Sequence, residues 1–101
     1  MPMLGAYSVS KTALISMCKV LSQEMAPLGI RVNSVCPGVI KTKFAGAILE
    51  MEEELSPQFA MGRFGEPHEI SGMVSFLSDS SRASYITGES FSICGGGNFR
   101  L

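Results

Sequence analysis

The sequence predicts an α/β fold in which helices alternate with a parallel sheet that this chain leaves incomplete. Apolar residues recur at helical spacing over residues 8–26, and a short strand-like run at 30–36 follows after a brief loop. A second strand-like run at 90–94 comes after further helical segments. Strands separated by helices are expected to pair in parallel through a right-handed connection, so the predicted order is helix, strand, helix, helix, strand. A parallel sheet normally has more strands and both faces covered.

Length and composition bound the class of protein. The 101 residues form at most one domain, and a net charge of -1 gives no basic surface for nucleic acid. Three widely spaced cysteines and a single histidine predict neither a disulfide framework nor a metal site. No apolar run reaches the ~18 residues of a membrane span. The N-terminus lacks the pattern of a signal peptide, and an intracellular, reducing compartment is expected.

The predicted helix over residues 8–26 carries apolar positions around more than one stripe. Ser8 or Ser10 could cap its start, and Pro27 and Gly29 end it. We expect one side of the helix to cover the sheet, while the other could meet a second subunit.

Tyr7 and Lys11 stand four residues apart at the start of this helix, so both side chains project from one face. A lysine ammonium beside a phenol favours the phenolate and lowers the tyrosine pKa from its usual value of about 10. The pair could therefore donate or accept a proton near neutral pH. The same spacing also occurs by chance in many helices with no catalytic role.

A candidate ligand edge follows the strand predicted at 30–36, where Pro-Gly ends the run. Ligands of open parallel sheets bind outside the carboxyl ends of the strands. A plain Pro-Gly turn is the alternative interpretation. The candidate residues are Pro37, Gly38, Val39, Ile40 and Thr42.

Two further helices are predicted, over residues 43–55 and 67–78. The acidic run in the first is interpreted as a solvated face rather than a metal site; it comprises Glu50, Glu52, Glu53 and Glu54. Pro67 suits the first turn of the second helix, and His68 is expected to be exposed. The apolar face of this second helix is expected to hold Ile70, Met73, Val74 and Leu77.

In this order the motifs resemble the C-terminal part of a short-chain dehydrogenase/reductase, over essentially the whole chain. The resemblance is strongest to the carbonyl-reducing group that contains dehydrogenase/reductase family members 2 and 4. It implies the C-terminal half of a Rossmann-like, doubly wound parallel sheet. Residues 1–101 would then be the catalytic and substrate-lid portion of one such domain. The motifs are Tyr7-x-x-x-Lys11, Ile30-Arg31-Val32-Asn33, Cys36-Pro37-Gly38 with Thr42, Arg63-x-Gly65-x-Pro67, Tyr85-Ile86-Thr87-Gly88 and Gly95-Gly96-Gly97.

The resemblance implies a role for each matching residue. Tyr7 would be the acid in carbonyl reduction or the base in alcohol oxidation, and Lys11 would lower its pKa and bind the nicotinamide ribose. Pro37, Gly38 and Val39 would line the nicotinamide. Backbone near Val39 or Ile40 would hold its carboxamide, and Thr42 would contact the carboxamide or the adjacent phosphate.

The resemblance also implies a cofactor, a substrate class and partners. NADP(H) fits the group resembled, while NAD(H) stays open. Residues 43–62 would form a mobile lid over a small apolar carbonyl or alcohol substrate, although the lid's apolar residues could instead pack the core. A homo-oligomer would form through helix 8–26 and the C-terminal strand. The apolar lid residues are Phe44, Ile48, Leu49 and Met51.

Three features of the family lie upstream of the tyrosine, namely the glycine-rich cofactor loop, a structural Asn-Asn-Ala-Gly segment and the catalytic serine. Only six residues precede Tyr7, so we expect the isolated chain to be inactive and the sequence to be part of a longer one. The alternative function is an interaction or modulatory subunit of full-length relatives. Cytoplasmic, mitochondrial and nuclear locations stay open, and Arg100-Leu101 only partly fits a peroxisomal signal because Phe99 does not fit.

Overall fold

The computed structural model describes residues 2–43 and 46–97, with side chains from Val9 onward except those of Ala47 and Ile48. The α/β class and the alternation of helices with strands are confirmed, and the strands form a two-stranded parallel sheet. Predictions on Phe44 and on the tail from Phe99 lie outside the described residues. The elements are α1 (Pro2–Met25), a 3₁₀ turn (Ala26–Leu28), β1 (Ser34–Pro37), α2 (Gly46–Leu49), α3 (Glu52–Leu55), a second 3₁₀ turn (Ser56–Gln58), α4 (Pro67–Ser78) and β2 (Ser90–Ile93).

Helix α1 is longer than predicted. It begins at Pro2 rather than at residue 8, so neither Ser8 nor Ser10 caps it. Proline is favoured in a first helical turn because its missing N–H is not needed there. At the other end, Gly29 takes a left-handed conformation (φ 74°) and donates its N–H to the Ala26 carbonyl.

Strand β1 is shorter at its start than the predicted run of 30–36, because it begins at Ser34. Ahead of it, the Val32 N–H donates to Thr87 Oγ1 at 3.1 Å, and the Val32 carbonyl accepts from the Gly88 N–H at 2.7 Å. One of these two bonds goes to a side chain, so the pairing does not continue as a regular ladder at this point.

The two strands are held by backbone hydrogen bonds at both ends of the sheet. The Ser34 N–H donates to the Glu89 carbonyl at 2.9 Å, and the Gly38 N–H donates to the Ile93 carbonyl at 2.8 Å. This register is that of a parallel pair, as predicted. Strand β2 ends one residue before the predicted limit of 94.

The single helix predicted over 43–55 is wrong, because the described part of that segment contains two four-residue helices, α2 and α3, separated by a turn. Met51 has φ -97° and ψ 7°, which lies outside the helical region. The Glu52 carboxylate accepts a hydrogen bond from the Phe64 N–H at 3.1 Å. This long-range contact favours an α3 that is separate from α2 over one continuous helix.

Helix α4 has the predicted bounds, Pro67–Ser78. Glu69 Oε1 accepts from the Glu66 N–H at 2.9 Å, as the third-position glutamate does in a capping box. His68 is exposed, as predicted. Leu77 is buried, while Val74, on the same predicted apolar face, is 48% exposed.

The chain divides into two compact units. The first contains described residues 2–34 and 77–91, and its buried residues are Cys18, Ser22, Leu77 and Ala83. The second contains residues 35–76 and 92–97, and its core is Phe59 against Phe64, edge to face at 5.6 Å between ring centroids.

Three further findings concern the described residues as a set. None of their helices is both long enough and apolar enough to cross a membrane. No three histidine, cysteine or acidic side chains within the described ranges gather as metal ligands. Cys18, Cys36 and Cys94 are free thiols.

Candidate active site

Tyr7 and Lys11 both lie on α1, one helical turn apart along its backbone. The Lys11 side chain is half-buried, while that of Tyr7 lies outside the described side chains. The helix therefore supplies the spacing on which the predicted pair depends. Their roles in proton transfer stay predictions.

Gly38 directly follows β1 and lies against Cys94, which directly follows β2. A Cβ on Gly38 would stand 2.8 Å from Cys94 Cβ and 2.9 Å from Cys94 Cα. Side-chain carbons do not approach that closely, so only glycine keeps this strand spacing. Pro37, just before it, is exposed at the end of β1.

Ile40 forms a parallel bridge with Gly65. The Gly65 N–H donates to the Val39 carbonyl, and the Lys41 N–H donates to the Gly65 carbonyl, both at 2.9 Å. In a parallel bridge of this kind the N–H and C=O of Ile40 itself point away from Gly65. The edge therefore presents one donor and one acceptor side by side, which is the complement of a primary amide.

A cavity of about 80 Å³ lies beside this edge, within the second unit. Most of its lining is apolar, and its two charged residues, Arg63 and Glu69, pair with each other. The remaining lining residues are Val39, Ile40, Phe59, Met61, Phe64, Gly65, Ile93, Cys94 and Gly95.

Arg63 and Glu69 form a two-bond ion pair, with Nη1–Oε1 at 2.7 Å and Nη2–Oε2 at 2.9 Å. The hydrogen bond from Arg63, followed by that from the Glu66 N–H, lowers the pKa of Glu69 to about 2. The same bond raises the pKa of Arg63. This pair fixes the loop that enters α4.

Lys41, Glu52 and Glu66 form a second charged group. Lys41 Nζ lies 3.5 Å from Glu52 Oε2 and 3.4 Å from Glu66 Oε1. Glu52 also accepts from the Phe64 N–H, so its interpretation as part of a solvated acidic face is wrong. Glu53 and Glu54 are exposed, as expected of that face.

The predicted site residues fall in both units. Tyr7 and Lys11 belong to the first, and the edge from Pro37 to exposed Thr42 belongs to the second. Sequence reasoning missed the contacts of Lys41 and Glu52, because no local pattern pairs residues of that separation. The sequence signal for the cap on α4 is Glu69, three residues after Glu66, which is the spacing of a capping box.

Comparison with known proteins places these observations in a family. Residues 1–98 match the family model described as enoyl-(acyl carrier protein) reductase. The chain is 48% identical over 101 residues to dehydrogenase/reductase SDR family member 4 of Oryctolagus cuniculus, covering 97% of this chain and 38% of that protein. The chain thus spans less than half the length of that relative.

Solved structures of dehydrogenases and reductases also superpose on this chain. A double mutant of a Serratia marcescens short-chain dehydrogenase/reductase superposes with a TM-score of 0.83 at 37% identity, covering 96% of this chain and 38% of that one. YwfH, described as an NADPH dependent reductase involved in bacilysin biosynthesis, superposes with a TM-score of 0.77 at 33% identity, covering 89% and 38%.

Proposed function

This chain belongs to the short-chain dehydrogenase/reductase family, and we propose that it carries the proton-transfer residues of a nicotinamide-dependent carbonyl reductase. The observation that carries the proposal is the position of Tyr7 and Lys11 one turn apart on α1, in a chain that matches the family over residues 1–98. In the direction of reduction, Tyr7 Oη donates a proton to the substrate oxygen. Lys11 holds the phenol at a pKa suited to that transfer.

The second unit fits the nicotinamide part of the cofactor. The N–H and C=O of Ile40 face away from Gly65 and match the acceptor and donor of a carboxamide. Pro37 and Gly38 offer a surface without a bulky side chain, and Thr42 is exposed beside them. The bound cofactor supplies the hydride, and NADP(H) is the form we propose because YwfH is described as NADPH dependent.

A small apolar carbonyl or alcohol is the proposed substrate. The cavity beside the edge is lined mostly by apolar side chains, and Met51 and Met61 are exposed on the predicted lid. Apolar groups of this kind favour a substrate that can be removed from water.

We assign the exposed apolar face of α1 to contact with a second copy of the protein. Val9, Met17 and Val20 lie on one side of the helix by their spacing, and each is more than half exposed. Buried Cys18 and Ser22 lie on the other side. The free thiols at Cys18, Cys36 and Cys94 accord with an intracellular location.

The same exposed face favours a second candidate function, that of a modulatory subunit which binds full-length relatives without catalysis. The two candidates differ in one measurable property. A catalytic segment supports turnover when the rest of the fold is supplied, whereas a purely modulatory one does not.

The experiment is a graft in which residues 1–101 replace the matching stretch of the Oryctolagus cuniculus relative. We expect the graft to oxidise NADPH in the presence of a small apolar ketone and to form the corresponding alcohol. A graft that folds and binds NADPH but forms no alcohol would overturn the reductase proposal and leave the modulatory one.

A further inference from the structure

We propose, on the basis of the proposed function, that Lys41 and Glu52 are positioning residues that fasten residues 52–58 of the lid to the ligand edge and so set the KM for the substrate. The unit they form, here called the Glu52 clamp, consists of the Glu52 carboxylate, the Lys41 ammonium and the Phe64 N–H.

The clamp joins three segments that lie far apart in sequence. Glu52 opens α3, Lys41 directly follows Ile40 of the edge, and Phe64 belongs to the loop before α4. Glu52 Oε2 stands 3.1 Å from the Phe64 N and 3.5 Å from Lys41 Nζ, so one carboxylate oxygen receives both contacts. Glu52 therefore connects the start of α3 to both other segments.

The two partners of Glu52 are themselves fixed. The Lys41 N–H is bonded to the Gly65 carbonyl, and Lys41 Nζ also pairs with Glu66. The Phe64 side chain is fully buried against Phe59. A lid tied to such points is held in place relative to Ile40, the residue proposed to bind the carboxamide.

The solvent exposure of Lys41 and Glu52 determines how strongly added salt affects their attraction. The side chains of Lys41 and Glu52 are 36% and 30% exposed, so added salt weakens their attraction. The bond from the Phe64 N–H to the carboxylate is charge-assisted and is the stronger contact. Glu52→Gln keeps an oxygen acceptor for that N–H and removes only the charge, whereas Glu52→Ala removes both contacts.

The first arm of the test measures amide hydrogen exchange at Phe64 in the 101-residue chain. Glu52→Ala is expected to speed exchange about tenfold, and Glu52→Gln by less, because the charge-assisted bond is lost in one and weakened in the other. Glu54→Ala, in the same acidic run but exposed, is the matched control and is expected to change nothing. Equal exchange in Glu52→Ala and Glu54→Ala would overturn the clamp.

The second arm measures kinetics in the graft. Glu52→Gln and Lys41→Met are each expected to raise the KM for the ketone by about threefold, with kcat changed by less than about twofold, since an exposed pair contributes modestly. The double variant should be little worse than Lys41→Met alone, because that variant already removes the attraction between Lys41 and Glu52. Added salt should raise the KM of the parent graft more than that of Glu52→Gln.

The outcomes separate this inference from the proposed function. An active graft in which Glu52→Gln has the KM of Glu54→Gln overturns the clamp alone. A loss of kcat with unchanged KM also overturns it, because a positioning role for substrate binding predicts the reverse. A parent graft that forms no alcohol overturns the proposed function, and the positioning role with it.

Discussion

Gly38 is the residue at which the closeness of β1 and β2 depends on the absence of a side chain. Its substitution by alanine would place a methyl group 2.8 Å from Cys94 Cβ, so the strand ends must move apart. We expect Gly38→Ala to destabilise the chain by about 1–3 kcal/mol, as overpacking does elsewhere. Urea denaturation measures this loss.

Gly72 provides the matched control for Gly38. It lies inside α4, and nothing stands within 4 Å of a Cβ built there. Gly72→Ala should stabilise the chain by about 0.5–1 kcal/mol, because alanine loses less backbone entropy in a helix. If both variants shift stability in the same direction, the close approach at Gly38 is not what requires glycine.

Glu69 links stability to pH through its bond with Arg63. Its folded-state pKa is lowered from 4.5 to about 2, so between these values the unfolded chain binds a proton that the folded chain does not. Stability is therefore expected to fall as pH falls through this range. Glu69→Gln should flatten that part of the profile, measured as the urea midpoint at several pH values.

The acid profile has an internal check. Asp79, whose pKa is also lowered by its bonds with Ser81, should leave a residual slope in Glu69→Gln. Glu54→Gln removes an exposed carboxylate of α3 and is the matched control. A Glu69→Gln variant with the same slope as the parent would contradict the assignment.

Helix α1 leaves several large apolar side chains exposed. Met17 and Val20 are 53% and 55% exposed, and charges placed there should not disturb the fold of the first unit. We expect Met17→Glu with Val20→Glu to reduce the oligomer to smaller species in the graft, as measured by sedimentation velocity. We expect the subunit contact to weaken because two carboxylates would be removed from water in an apolar contact.

Gln23→Glu is the control for that measurement, because it adds a charge to α1 at an exposed polar position. It should leave the sedimentation profile unchanged. An unchanged oligomer in the double variant would mean that this face of α1 does not form the subunit contact.

At the scale of elements, local signals predicted the bounds of α4 but not the contacts between distant segments. Pro67 and the apolar spacing after it gave the bounds of α4, since both act within one or two turns. The break between α2 and α3 was not predictable, because it accompanies the contact of Glu52 with Phe64, twelve residues away. Strand β1 starts late for a similar reason, as Val32 pairs with residues near position 87.

At the scale of the whole molecule, the local features of the candidate site were predictable from the sequence, whereas its contacts between distant residues were not. The spacing of Tyr7 and Lys11 is local, and the helix that it requires is present. The bridge between Ile40 and Gly65, which leaves the polar groups of Ile40 facing away, joins distant residues and was visible only in the fold. The family match over residues 1–98 includes residues of both units.

The measurement that tests the central claim most directly is the kcat of Tyr7→Phe in the graft, with Tyr85→Phe as its control. The sequence holds only these two tyrosines, and Tyr85 is fully exposed. We predict that Tyr7→Phe lowers kcat by about 10²–10⁴-fold, the usual contribution of a general acid, while NADPH binding is retained. Tyr85→Phe should have the parental kcat. A Tyr7→Phe graft with the kcat of Tyr85→Phe would contradict the account.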